Sequence, residues 1–191
     1  MKLMDLFTRK TKRTMLFETI LVPELKKALA DLKNYPPGAG VLIGGVALSY
    51  YCRPRTTEDL DFLFASEADI PVATSKFKKI RAHAWIHKST QVEVELLTPE
   101  FLKMSKTVVE QVIATANDIS GIKIASPSGL VALKLCANRY KDRADIVELI
   151  KYQPSEIENN IGSYDLTTEQ FELYQSLVID AHQELESEIR D

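Results

Sequence analysis

Residues 41–64 read VLIGGVALSYYCRPRTTEDLDFLF and end in an alternation of acidic and apolar side chains. Alternate side chains of a β-strand point to opposite faces. A strand here therefore places Leu60 and the two phenylalanines in the core and projects Asp59 and Asp61 from the other face. Neighbouring carboxylates raise each other's pKa unless a cation compensates them. The simplest interpretation is a strand end with two solvated acids; the functional one is a site for a hard cation such as Mg²⁺.

The beginning of the same stretch predicts a phosphate-binding turn. Residues 41–43 indicate a short buried strand, Gly44 and Gly45 break it, and residues 46–51 can begin a helix. A glycine turn before a helix presents backbone N–H groups and the helix dipole to an anion. Gly45 also lets a phosphate approach the main chain. Alone, a glycine pair predicts only a tight turn; beside an acidic pair it describes a triphosphate site facing a metal site.

These residues resemble the core motif of the polymerase-β-like nucleotidyltransferase superfamily, in the form Gly44-Gly45-x-Ala47 and then Arg55-x-Thr57-x-Asp59-x-Asp61. The Arg-x-Thr element is most similar to AbiEii-type nucleotidyltransferases of toxin–antitoxin and phage-defence systems. The resemblance covers residues 42–149 and implies an α/β (α+β) fold, a small mixed sheet flanked by helices with a helical C-terminal part. It also implies transfer of a nucleotide from an NTP to an acceptor hydroxyl with two Mg²⁺ ions, or Mn²⁺ in their place. Many members have Gly-Ser where this chain has two glycines, so here the backbone would hold the phosphate.

A second acidic alternation, VEVELL at residues 92–97, offers the third carboxylate that this superfamily requires. Glu93 and Glu95 share one face of the predicted strand. The Val-Glu-Leu-Leu-Thr-Pro stretch resembles the family's segment around that carboxylate, usually an aspartate, which favours Glu95 and leaves Glu93 as the alternative. The resemblance then makes Asp59, Asp61 and Glu95 the catalytic metal ligands, with Glu95 able to deprotonate the attacking hydroxyl. The competing interpretation is two solvated acids at a sheet edge.

The other nucleotide-binding candidates follow from the same resemblance. Lys134 lies among apolar residues of a predicted helix, so its ammonium is expected to emerge into a cleft. A lysine helix followed by Lys-Asp-x-x-Asp is similar to the AbiEii-type pattern, which assigns Lys134, Lys141 and Asp142 to the nucleotide. For the last two, a helix cap with a salt bridge is an equally good explanation. Arg55 suits carboxylates or phosphates and Thr57 a turn before the acidic strand, although neither needs a function without the resemblance.

Composition restricts the broad class. The 191 residues, 45% apolar and 27% charged, fit one domain or one domain with a helical extension, which we divide into a core at 1–125 and a helical region at 126–191. Two distant cysteines, no signal peptide and no expected membrane span predict a cytoplasmic protein. After Tyr152, ten acids and one arginine give a net charge of −9, which leaves +6 for the preceding residues. A basic body suits NTP and RNA.

Three further predictions concern local structure. We predict a helix over residues 72–84 with exposed lysines, one helix over residues 98–115, and one short strand over residues 119–124 split by Gly121.

For function, the sequence predicts a toxin-type enzyme that modifies RNA, first of all the 3′ end of tRNA, with a cognate antitoxin as a candidate partner. A small-molecule acceptor such as an aminoglycoside and a degenerate protein that binds a nucleotide or a partner remain open. The oligomeric state is not predicted.

Overall fold

The computed structural model describes residues 16–33, 40–53 and 56–190 and contains a seven-stranded mixed sheet. Arg55 lies outside the described residues. The strands, in chain order, are β1 (Val41–Ile43), β2 (Asp59–Leu63), β3 (Phe77–Arg81), β4 (Ala84–His87), β5 (Glu93–Leu97), β6 (Asn117–Ile119) and β7 (Ile122–Ile124). Across the sheet they follow the order β3-β4-β5-β2-β1-β7-β6. The pairs β2–β5 and β1–β7 are parallel and the other pairs are antiparallel.

Nine α-helices accompany the sheet in the described ranges. They are α1 (Leu16–Thr19), α2 (Pro23–Lys33), α3 (Gly44–Tyr51), α4 (Pro99–Leu102), α5 (Lys106–Ala114), α6 (Pro127–Ala137), α7 (Tyr140–Tyr152), α8 (Pro154–Asn160) and α9 (Thr168–Arg190). The α/β fold with a helical C-terminal part is therefore confirmed. None of the helices in these ranges combines the length and apolar character that a membrane crossing needs.

One hydrophobic core joins the sheet to both the N-terminal and the C-terminal helices. It includes Leu29 of α2, Leu42 of β1, Leu135 of α6 and Leu149 of α7, each at most 1% exposed. The division predicted at residues 125/126 falls just before α6, whose apolar side chains continue this core.

A buried lysine fixes α7 to the long C-terminal helix. Lys151 is 8% exposed, and its Nζ donates hydrogen bonds to Glu148 at 3.2 Å, Glu184 at 3.1 Å and Glu188 at 2.6 Å. The last two acids belong to α9. Because α7 also contributes residues to the cleft described below, this ion-pair cluster helps to hold one wall of that cleft.

The helix predicted over residues 72–84 is wrong. Residues 77–81 form β3, an edge strand that is exposed after its first residue and pairs with β4 in antiparallel fashion. Lysine favours helices over strands, but the hydrogen bonds and packing offered by β4 outweigh that small intrinsic preference.

Two other segments divide where the backbone turns left-handed. The single helix predicted over residues 98–115 is interrupted at Lys103, whose φ of 55° ends α4 before α5 begins. Residues 117–124 form a hairpin instead of one strand, because Ser120 and Gly121 both adopt positive φ, at 58° and 81°. Two such residues make the tight turn that matches the twist of an antiparallel pair. On β2, Leu60 is fully buried as expected, whereas Phe62 is only partly buried.

Candidate active site

The pairing of β2 with β5 brings the predicted carboxylates together. Asp61 is the Cα partner of Glu95, and Asp59 is the partner of Glu93. Directly paired residues point to the same face of a sheet, so all four acids share one face. Leu60 and the residue paired with it are fully buried on the opposite face. In both β2 and β5, the alternation of acidic and apolar residues therefore puts the acids on one face and the core residues on the other, as the sequence predicts.

Three of these four acids line a cleft of about 330 Å³ on this face of the sheet. Apolar side chains of α4 and α6 line its other side. The polar side chains of the lining are Thr57, Asp59, Asp61, Glu95, Lys134, Arg139, Lys141 and Asp145. The cleft also contains Gly44 and Gly45 at the first turn of α3. Eight of the ten predicted site residues thus line the cleft. Asp142 does not, nor does the alternative acid Glu93, and Arg55 lies outside the described residues.

Asp61 has the most perturbed acidity in the cleft. Burial first of all, and then the negative charges of Asp59 and Glu95, raise the pKa of Asp61 to about 7, although Lys134 and Lys141 act in the opposite direction. The cationic side chains present therefore do not neutralise the carboxylates. A positively charged ligand among the acids would relieve this repulsion.

Gly44 is required at its position because it faces Asp61. Its φ is +65°, and an added Cβ would overlap Oδ2 of Asp61 and lie 2.7 Å from Cγ. Gly44 was predicted to help hold a phosphate; in the structure, the atoms nearest to an added Cβ belong to the carboxylate of Asp61. No side chain caps the start of α3, so the helix presents its first N–H groups at the same place.

Gly45 and Thr57 form a second close approach. An added Cβ on Gly45 would lie 2.7 Å from Oγ1 of Thr57. That hydroxyl donates a hydrogen bond of 2.9 Å to Oδ1 of Asp59. Thr57 therefore orients a carboxylate as well as leading the chain into β2. The two-residue spacing from Thr57 to Asp59 in the Arg-x-Thr-x-Asp pattern allows this hydrogen bond.

Lys134 is the only charged residue of α6, and it reaches the cleft paired with two acids of α7. Its Nζ lies 2.7 Å from Oδ2 of Asp145 and 3.2 Å from Oδ1 of Asp142, and 11% of its side chain is exposed. Asp142 is fully buried behind it and also accepts hydrogen bonds from Arg139. Burial alone would raise the pKa of Asp142, but Arg139 and Lys134 outweigh it, so the pKa is lowered. Asp142 thus positions two cations.

Arg139 is a cleft residue that the sequence analysis missed. Its Nε donates to Oδ2 of Asp142 at 2.7 Å, in a capping arrangement at the start of α7. That hydrogen bond raises the pKa of Arg139, and the charges of Asp142 and Asp61 raise it further, which places the guanidinium near the acids. The three-residue spacing from Arg139 to Asp142 was the available signal. Lys141 is exposed and lines the same side.

The structure distinguishes the two candidates for the third carboxylate. Glu95 lines the cleft and contributes to the raised pKa of Asp61. Glu93 lies one strand repeat away and forms an ion pair with Arg81 of β3. The geometry therefore favours Glu95, as the resemblance does.

The fit of a metal ion depends on the chemistry of these donors. Three carboxylates provide the hard oxygen ligands that Mg²⁺ and Mn²⁺ prefer. In the part of the chain that the structure describes, no three His, Cys, Asp or Glu side chains are already positioned to hold a metal. The residues that would hold it are Asp59, Asp61 and Glu95, and the charges of the other two acids contribute, after burial, to the raised pKa of Asp61.

No family model and no curated protein matches this chain. Among solved structures, it is similar to JHP933 from Helicobacter pylori, with 18% sequence identity and a TM-score of 0.40. The similarity covers 87% of this chain and 92% of JHP933.

Proposed function

We propose that this protein is a metal-dependent nucleotidyltransferase that moves a nucleotide from an NTP to a hydroxyl of RNA, with the 3′ end of tRNA as the first candidate. The observation that carries the proposal is the convergence of Asp59, Asp61 and Glu95 on one cleft, opposite Lys134 and Lys141. The acids of this cleft suit a metal ion, and its cations suit a triphosphate. Together they fit a substrate that consists of an NTP and its metal. The resemblance adds a toxin or phage-defence role, with a cognate antitoxin as partner.

The cations have two different roles in this proposal. Lys134 is held by Asp142 and Asp145 and offers a fixed positive charge to the phosphates. Arg139 and Lys141 are exposed and can adjust to the substrate. The uncapped N-terminus of α3 adds N–H groups beside Asp61, where they can also contact a phosphate.

The acids surround the reacting atoms. A divalent cation held there would stabilise negative charge on the phosphate oxygens. The acceptor's hydroxyl oxygen forms a bond to the α-phosphorus, the bond from that phosphorus to the bridging oxygen breaks, and pyrophosphate leaves. A carboxylate oxygen of Glu95 accepts the hydroxyl proton. Thr57, by its hydrogen bond, keeps Asp59 oriented toward the cleft.

The test is to incubate the protein with each radiolabelled NTP, Mg²⁺ and total RNA, and to measure label in the tRNA fraction. Asp59→Asn is the matched negative control. Label in tRNA that disappears in this variant supports the proposal. Label that appears only on an added aminoglycoside would identify a small-molecule enzyme, and NTP binding without transfer to any acceptor would identify a binding protein.

A further inference from the structure

A group of cations outside the cleft lies on edge strand β3. Lys78, Lys79 and Arg81 are exposed there, and in the described residues β3 pairs with β4 alone. Lysines on an edge strand also prevent unwanted pairing with other sheets. Exposure by itself therefore does not identify a binding surface. The register of the strands shows, in addition, which of these cations lie on the same face as the acids.

Two rows of paired residues cross the sheet from β3 to the candidate active site. The rows are Lys78, Ile86, Glu93, Asp59 and Arg81, Ala84, Glu95, Asp61. Because paired residues point to the same face, Lys78 and Arg81 share the face of the acids. Lys79 pairs with Trp85 and points to the opposite face. An irregularity between Lys79 and Arg81 returns Arg81 to the acidic face, which is a common effect of a bulge.

In each row, a basic residue of β3 and an aspartate of β2 lie a short distance apart. Three strand spacings separate β3 from β2, which is about 14 Å. Arg81 is held toward the site by its ion pair with Glu93. No ion pair or hydrogen bond engages the ammonium of Lys78 among the residues that the structure describes. The residues between, Ile86 and Ala84, are uncharged, so the face changes from positive to negative across β4.

We propose that β3 binds the phosphate backbone of a single-stranded RNA end, with Lys78 and Arg81 contacting phosphates upstream of the reacting hydroxyl. This inference rests on the proposed function and deepens it by locating the acceptor. A polyanion that approaches Asp59, Asp61 and Glu95 is repelled by them, and cations on the same face offset that repulsion. A cationic acceptor such as an aminoglycoside would gain nothing from this face.

The test compares Lys78→Gln with Lys79→Gln, which remove the same charge from the same strand on opposite faces. Binding of a fluorescently labelled single-stranded RNA oligonucleotide is measured by anisotropy over a tenfold range of salt, in EDTA and without NTP. Lys78→Gln should flatten the slope of log Kd against log salt by about 0.7, so its defect relative to wild type grows about fivefold as salt falls tenfold. Lys79→Gln should retain the wild-type slope. Thermal denaturation of both variants confirms that they fold.

Equal effects of the two substitutions, or no binding of RNA by the wild type, would overturn the proposal. A second measurement separates its failure from that of the proposed function. If no acceptor receives a nucleotide but Lys78→Gln alone weakens RNA binding, the transferase assignment fails and the binding surface stands. If RNA is labelled at the same rate by both variants, the transferase stands and the binding surface is refuted.

Discussion

A methyl group on Gly44 would lie 2.7 Å from Cγ of Asp61 and would overlap its Oδ2. The glycine at the start of α3 and the second aspartate of β2 therefore fit together only without a side chain at position 44. The same glycine adopts a φ of +65°, which other residues reach at a cost of about 1–2 kcal/mol.

Gly44→Ala should consequently lower the free energy of unfolding by more than about 2 kcal/mol and displace the Asp61 carboxylate. We expect nucleotide transfer to fall with it. Chemical denaturation and the transfer assay measure the two effects. Gly162→Ala is the control, because an added Cβ there meets nothing within 4 Å and the stability should stay within about 0.5 kcal/mol. Wild-type behaviour of Gly44→Ala would contradict the described contact.

Asp61→Asn should abolish transfer and remove a pH-dependent cost to stability. The folded pKa of Asp61, about 7, exceeds the reference value of 3.8, so the folded state retains the proton longer. Between these values stability falls as pH rises, by on the order of 4 kcal/mol, and above pH 7 the full cost is present. In EDTA, the Tm of the variant should exceed that of wild type at pH 8 and converge with it toward pH 4.

Added Mg²⁺ should raise the Tm of wild type at pH 8 and leave that of Asp61→Asn less affected, because the cation compensates the charge that the variant lacks. If the Tm values of the two proteins differed by the same amount at every pH, ionisation of Asp61 would not lower the stability of the fold. Asp59→Asn should also lose transfer while it remains folded.

Lys134→Ala should destabilise the protein as well as weaken its use of NTP. Removal of the ammonium takes a shared partner from Asp142 and Asp145 in a largely buried position, which costs up to about 3–5 kcal/mol, and less here because Asp142 keeps Arg139. The matched comparison is Lys141→Ala, an exposed cleft residue, which should change stability by less than about 0.5 kcal/mol and still reduce NTP affinity. Isothermal titration with NTP and chemical denaturation of both variants measure this difference.

An unchanged NTP affinity in Lys141→Ala, together with a purely structural loss in Lys134→Ala, would remove both lysines from the nucleotide site.

Glu95→Gln should lower the transfer rate by about 100-fold or more, whereas Glu93→Gln should have a small effect. Glu95 lines the cleft, while Glu93 pairs with a partly exposed Arg81, and such pairs contribute about 0–1 kcal/mol. Single-turnover rates under saturating NTP measure the effect on the reaction itself. The reverse result would move the third ligand one strand repeat along β5 and leave the acidic pair of β2 in place.

The sequence predicted those parts of the molecule whose pattern is set locally. Asp59 and Asp61 alternate with apolar residues, and that alternation alone separates the core face from the site face. The choice between Glu93 and Glu95 depended on strand register, which arises from pairing between distant segments. β3 was missed for the same reason, since its exposed lysines carry no alternation and only β4 makes it a strand.

The lysine helix shows a different limit. Apolar neighbours around Lys134 correctly indicated burial, but its partners Asp142 and Asp145 come from the next helix. For Asp142 the sequence left two explanations open, a nucleotide contact or a helix cap with a salt bridge; in the structure it is buried behind the cleft, caps α7 and pairs with Arg139 and Lys134. The sequence shows which residues are charged, but only the packing of the helices shows which of them form ion pairs.

The β3–β4 hairpin lies between β2 and β5 in the chain, although those two strands are neighbours in the sheet. It can therefore serve as an exchangeable cassette in protein engineering, because a grafted hairpin would alter the edge without moving either carboxylate strand. Exchange is preferable to deletion, since β4 covers one side of β5 and its loss would expose an edge prone to aggregation. A library of such hairpins would change the charge of this edge, and with it the RNA-binding surface that we propose for β3, through this hairpin alone.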